Sequence, residues 1–202
     1  MPTGLISHSR VFISLHLPPK DAESVQQIRS FLRSKCPSEK EALMEDLLSD
    51  SKSAGLGILV REHMMNLPLQ LLPTMHESLC SDIDWAAENA EDDTEEKDAH
   101  FEQLIVVAPF SYVDQSPAAF AAGDESRGKG KRPKKNTQAK ASCAGGTKIF
   151  DRFDDEVFVQ GSSWGFDYST TTPRGMQSFH VAIVPIETYR QSAASVRALV
   201  GV

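Results

Sequence analysis

The stretch Ala54–Ile83, AGLGILVREHMMNLPLQLLPTMHESLCSDI, decides how the chain is read. Gly-Leu-Gly-Ile-Leu-Val at 55–60 is a short apolar run between turn signals, the pattern of a strand buried on both faces. Residues 61–66 form a tight connection. Pro68 then stands where a first helical residue should, with Asn66 near the capping position. Leu69, Leu72, Met75, His76 and Leu79 recur at helical spacing. Pro73 lacks the N–H that a helix begun at Pro68 would need, so the helix either kinks or restarts there. A buried strand handed directly to a proline-started helix is a core unit of an α/β domain.

Upstream, Val11–Leu17 alternates as a strand and ends at Pro18-Pro19. Asp21 is placed to cap a helix whose apolar face is Val25, Ile28, Phe31 and Leu32, stopped by Pro37. Ser38 with Glu41 three residues on is a capping box, predicting a second helix with Leu43, Met44, Leu47 and Leu48 inward. Downstream, Asp84–Asp98 is acidic, with Glu91, Asp92, Asp93, Glu95, Glu96 and Asp98 against Lys97. By itself that pattern is a solvated loop or a helix end. Phe101–Phe110 is the second strongly apolar run and predicts another central strand, continued by Tyr112 and Val113.

From Gln115 to Thr147 the composition falls to Ala, Gly, Ser, Lys and Asn. Such a segment buries too little apolar surface to offset its ordering entropy, which predicts a disordered insert over 115–147. Within it, Lys129, Lys131, Arg132, Lys134 and Lys135 form a basic run. A run of this kind is a nuclear import signal, a phosphate-binding patch or a solubilising loop, and its compact Lys-Arg-Pro-Lys-Lys core favours import. Order resumes at Ile149. Phe153–Gln160 suits a short helix, with Asp154 and Asp155 at its positive end. Trp164–Tyr168 and Phe179–Val184 suit strands, and Ile186, Tyr189, Ala193, Val196 and Val200 mark a final amphipathic helix. Together these predict a single α/β domain over 1–202, a mixed central sheet with helices packed on it.

At 202 residues the chain can bury roughly 70% of its unfolded surface. Its 40% hydrophobic and 24% charged residues describe a globular protein with polar inserts. Cys36, Cys80 and Cys143 are odd in number and widely spaced, which argues for a reducing compartment rather than a disulfide framework. No apolar run approaches the ~20 residues of a membrane span and no long apolar leader opens the chain, so no membrane partner is expected.

Few residues point to catalysis. Lys52, Gly55 and Gly57 nearly match the Arg/Gln-x-x-Gly-x-Gly/Ala loop with which GNAT acetyltransferases hold acetyl-CoA. That chemistry needs backbone N–H groups at a helix N-terminus, whereas Ile58-Leu59-Val60 continues as a strand. His8, His16, His63, His76, His100 and His180 show no metal-ligand spacing, and His76 on its apolar helix face reads as packed. No nucleophile elbow or P-loop is present. Neither a cofactor nor a catalytic residue is expected, and the net charge of −7 disfavours direct nucleic-acid binding.

One resemblance covers most of the chain. Gly55-Leu56-Gly57-Ile58-Leu59-Val60-Arg61-Glu62, Asn66, Pro68, Gln70 and Pro73 resemble the signature of the BCCIP-type family. Leu104–Ala108, a lysine-rich insert, Phe153, Glu156, Phe158, Phe166, Tyr168 and the closing strand and helix follow in the same order. Leu69 stands where the family has a second proline, and the family's acidic N-terminal arm and early Asp-rich strand are unmatched. That predicts a domain incomplete at its N-terminus, with an exposed sheet edge. The resemblance implies a GNAT-like sheet without acetyl-CoA binding and a nuclear protein that shuttles to the cytoplasm. It further implies a non-enzymatic chaperone or adaptor for a basic large-subunit ribosomal protein, in nuclear export and ribosome biogenesis, or for cell-cycle and DNA-repair partners. Glu91, Asp92, Asp93, Glu95, Glu96 and Asp98 are the expected contacts for a basic client. The competing expectation is an acetyltransferase using acetyl-CoA.

Overall fold

A computed structural model describes residues 6–7, 10–14, 23–49, 55–61, 68–92, 100–113, 146–173 and 175–201. The chain runs β1 (Ile6–Ser7), β2 (Arg10–Ser14), α1 (Glu23–Lys35), a 3-10 turn (Ser38–Lys40), α2 (Glu41–Leu47), β3 (Leu56–Arg61) and α3 (Leu71–Glu88). It continues through β4 (Gln103–Val113), β5 (Thr147–Phe150), α4 (Phe153–Gln160), β6 (Trp164–Thr172), β7 (Gly175–Pro185) and α5 (Ile186–Val200). The strands form one sheet in the order β1-β2-β3-β4-β7-β6, with β5 also on β4. Among the described strands only β3 and β4 pair in parallel, and α3 supplies the crossover between them. This is the mixed α/β sheet the sequence predicts.

Period-two alternation along β3, β4 and β7 feeds two cores. Leu59, Leu104, Val106, Ala182 and Val184 face Leu72, Leu79 and Ile83 of α3, Phe158 of α4, and Tyr189 and Val196 of α5. Leu56, Ile105, Val181 and Ile183 face Val25 and Leu32 of α1 and Met44 and Leu47 of α2. Both faces of β3 and β4 are therefore covered, which is why each reads as a continuous apolar run.

Pro73 resolves as a restart. Leu71 and Leu72 donate to the carbonyls of Pro68 and Leu69 at 3.0 and 3.1 Å, a tight turn ahead of the helix. Pro73 is then the third residue of α3, where no intrahelical acceptor awaits its missing N–H. Pro109 lies inside the central strand β4, which is rare for proline. It sits where β4 changes partners, from β3 at 103–106 to β5 at 110–113. Asp151 N–H covers its carbonyl at 3.0 Å.

Four expectations need correction. The Ser38–Glu41 capping box does not form: Pro37 is extended and caps a 3-10 turn one residue earlier, so Ser38 is already inside it. Leu43 and Phe31 are exposed rather than inward, because the short helices turn Met44, Leu47, Val25 and Leu32 to the sheet. Thr147, the last residue of the expected insert, opens β5, where pairing to Val113 supplies what composition lacked. Among the described residues the sheet begins with β1, which precedes the strand expected at Val11. Asp21, Glu62, Asn66, Cys143 and residues 114–145 lie outside the described residues.

Candidate functional site

The glycine corner packs against Phe101 and Glu102, which form one wall of a cleft. A Cβ at Gly55 would lie 2.8 Å from Glu102 Cγ, and one at Gly57 would lie 2.8 Å from Phe101 Cδ1. Glycine at both positions lets the 101–102 segment close on β3, where Glu102 N–H donates to Gly55 O at 2.7 Å. Glu102 O in turn accepts from Ile186 N–H at 2.9 Å, joining this segment to the start of α5. The space around Gly57 is filled by side chains and a strand follows, so the acetyl-CoA cradle has no room or helix here.

Beside this wall, the end of α3 and the start of α5 enclose a cleft of about 230 Å³. Ile83, Ala87, Phe101 and Ile186 line it with apolar surface, and Asp84, Glu102, Glu187, His100 and Arg190 supply charge. Arg190 grips Asp84 with both terminal nitrogens, Nη2 to Oδ1 at 2.6 Å and Nη1 to Oδ2 at 3.0 Å. The Arg190 hydrogen bond holds the Asp84 carboxyl below the usual carboxylate range, and Asp84 holds the guanidinium above its own. Glu91 and Asp92 are exposed just past the end of α3, on the same acidic side of the chain sequence. Asp93, Glu95, Glu96 and Asp98 lie outside the described residues, as do Lys129, Lys131, Arg132, Lys134 and Lys135.

Behind the cleft, α3, α4 and α5 share a buried polar network. His76 is fully buried, with Nε2 3.0 Å from Asp154 Oδ2 and Nδ1 2.8 Å from the Tyr189 hydroxyl. Beside an ionised Asp154, Nε2 is the nitrogen that donates, and a neutral ring would then accept from the Tyr189 hydroxyl through Nδ1. Phe158 stacks on Tyr189 at 4.9 Å and meets the His76 ring edge-on at 4.8 Å. Asp155 is also buried and pairs with Arg152 at 3.1 Å. Asp154 and Asp155 stand in the first turn of α4, as expected, and both are interior and partnered as well. His76 is packed, as expected, and hydrogen-bonded as well.

A third cluster lies toward the open end of the sheet. Lys148 Nζ is 2.6 Å from Asp167 Oδ1 and 3.1 Å from His180 Nδ1, and it caps the Phe110 ring at 4.1 Å. Burial pushes the His180 imidazole down, Lys148 and Lys40 push it further, and the Asp167 hydrogen bond only partly offsets them. Lys40 Nζ donates to Gly165 O on β6, an edge strand of the sheet. The remaining signature residues serve packing. Phe158 and Phe166 are core, Tyr168 stacks on Phe179 at 5.2 Å, and Pro68, Gln70 and Pro73 shape the entry to α3. Phe153 and Glu156 are exposed on α4. Among the described residues, no three His, Cys, Asp or Glu side chains form a group that could hold a metal ion, and no helix is long and apolar enough to cross a membrane.

Sequence reasoning missed Asp84, Glu102, Glu187 and Arg190 as a group. Asp84 and Arg190 are 106 residues apart, and each alone is an ordinary polar residue on an amphipathic helix.

Comparison with known proteins agrees with this architecture. The Protein BCCIP homolog of Arabidopsis thaliana is 26% identical over 149 residues, covering 74% of this chain and 40% of the relative. Protein bcp1 of Aspergillus fumigatus is 32% identical over 73 residues, covering 36% of this chain and 25% of the relative. The crystal structure of BCP1 from Saccharomyces cerevisiae superposes with a TM-score of 0.53 at 12% identity, over 93% of this chain and 60% of that one, a likeness of fold. This chain thus spans less than two thirds of the length of each of these relatives. The sequence model of the BCCIP family matches residues 11–158, from β2 through the buried Phe158 of α4, and the chain belongs to the BCCIP family.

Proposed function

We propose that this chain is a non-enzymatic nuclear chaperone or adaptor whose client is a basic protein, such as a large-subunit ribosomal protein. The observation that carries this reading is the cleft at the end of α3. Three carboxylates line it against one arginine and one histidine, with an apolar floor, on a chain of net charge −7. Such a surface attracts lysine- and arginine-rich segments and masks their nucleic-acid-binding charge. The names of the BCCIP relatives specify no enzymatic activity, which is consistent with the reading. The packed glycine corner weakens the alternative of a GNAT-type acetyltransferase. Roles in nuclear export, ribosome biogenesis or cell-cycle regulation, nuclear import through Lys129, Lys131, Arg132, Lys134 and Lys135, and shuttling to the cytoplasm belong to the same proposal.

Affinity capture of the chain from nuclear extract tests it. A basic ribosomal protein, or a basic cell-cycle or DNA-repair protein, should be recovered at 50 mM salt and lost by 500 mM, since screening is severe there. Recovery of no basic protein refutes the reading. Calorimetry with millimolar acetyl-CoA should give no binding heat, and a saturable heat would revive the acetyltransferase.

A further inference from the structure

We propose that the cleft between α3 and α5 is an arginine-selective site, in which Arg190 stands in for an arginine of the bound client. The inference rests on the client-binding reading above and specifies its chemistry. Asp84 is held by Arg190 fork to fork, at 2.6 and 3.0 Å. That planar, two-bond match is open to a guanidinium and closed to a lysine ammonium. The cleft has a volume of about 230 Å³. It can take a guanidinium with its alkyl stem, and Ile83, Ala87, Phe101 and Ile186 give that stem apolar surface.

The internal pair is built to yield. Asp84 is 52% exposed, so a second guanidinium can reach its carboxylate, and half-exposed pairs of this kind are weakly held. Arg190 Nε is buried and finds no hydrogen-bond acceptor among the described residues. The pair therefore leaves one buried donor unserved, which favours release of Arg190. Glu102 and Glu187 line the same space, so an entering cation meets net negative charge even while Arg190 is in place. Arg190 neutralises Asp84 when no client is bound, and a client arginine replaces it.

The test titrates the full chain with two labelled peptides of equal length and charge, one arginine-rich and one lysine-rich, at 50 mM salt. The arginine peptide should bind about fivefold tighter, the equivalent of one good ion pair. Asp84→Asn should erase that preference, and Arg190→Gln should strengthen arginine-peptide binding about two- to fivefold. The wild-type comparison of the two peptides depends on no variant's folding. Equal binding of both peptides overturns the arginine site and leaves the basic-client reading standing. An arginine preference that survives Asp84→Asn, or weaker binding by folded Arg190→Gln, also overturns it. Binding of neither peptide overturns the arginine site, and extract capture then decides the broader reading separately.

Discussion

Gly57→Ala sets the packing account of the glycine corner against the phosphate-loop account. The added Cβ would lie 2.8 Å from Phe101 Cδ1, 3.0 Å from Phe101 Cε1 and 3.0 Å from Leu104 Cδ2. Carbon–carbon contacts are optimal at about 3.5–4.0 Å, and Phe101 and Leu104 are both buried, so neither side chain can step aside freely. Overpacking of this kind costs about 1–3 kcal/mol. Alanine returns about 0.4–1 kcal/mol by restricting the unfolded chain, which leaves a net loss of about 1–2 kcal/mol. Urea unfolding followed through Trp85 and Trp164 reads this directly. With a slope of about 2 kcal/mol/M the midpoint should fall by roughly 0.5–1 M at unchanged slope. Phe101→Leu removes the ring that collides, so the double variant should recover about 0.5–1 kcal/mol of the sum of the two single losses. A midpoint unchanged within about 0.2 M, or additive losses in the cycle, would refute the packing account.

Three further outcomes follow from the geometry and a fourth from the basic run in the sequence. Tyr189→Phe removes the hydroxyl 2.8 Å from His76 and should cost about 1–2 kcal/mol, read as a melting temperature lower by about 3–6 °C. Asp154→Ala breaks a fully buried pair and should cost more, about 3–5 kcal/mol, by urea unfolding. Because His180 titrates below the usual range, the unfolded chain binds its proton first as pH falls, and stability is lost from about pH 6.5 downward. His180→Gln should therefore lose less stability between pH 7 and pH 5 than the parent. Replacing Lys129, Lys131, Arg132, Lys134 and Lys135 with alanine should leave a fluorescent fusion in the cytoplasm, as seen by microscopy.

The elements that periodicity revealed are those whose pattern is set by burial alone. β3, β4 and β7 read correctly because both faces are covered, and α5 because Tyr189, Ala193 and Val196 repeat at helical spacing. What stayed hidden depends on partners far away in sequence. β5 is four residues of Thr-Lys-Ile-Phe that become a strand only through pairing with Phe110–Val113. Ser38 looked like a cap, but the extended backbone of Pro37 had already started the turn. Asp154 reads as a helix-end charge and stands in the first turn of α4, but its buried partner, His76, is 78 residues away and left no local signal. The acidic stretch was visible in the sequence, and its cleft was not, since the cleft needs α5 to return beside α3.

That return links the cleft to the core. α3 and α5 run antiparallel: Glu77 pairs with Arg197 at 2.7 Å and Asp84 with Arg190 at 2.6 Å. Next to these exposed pairs in sequence, His76 meets Tyr189 inside the layer. Tyr189 and Arg190 are adjacent, so one hydrogen bond in the core and one fork in the cleft act on the same turn of α5. The exposed pairs contribute at most about 1 kcal/mol each, too little to fix how the helices slide. The buried network can fix it, because His76 has only two ring nitrogens and both are engaged in a geometry that a one-residue slip would break. Arg190 is thereby held opposite Asp84 by the core rather than by the ion pair itself. The pair can open for a client without the helices moving, so Asp84→Asn should alter peptide selectivity while shifting the melting temperature by less than about 3 °C. A large loss of stability in that variant would mean that the fork, and not the His76 network, sets the register of α3 on α5.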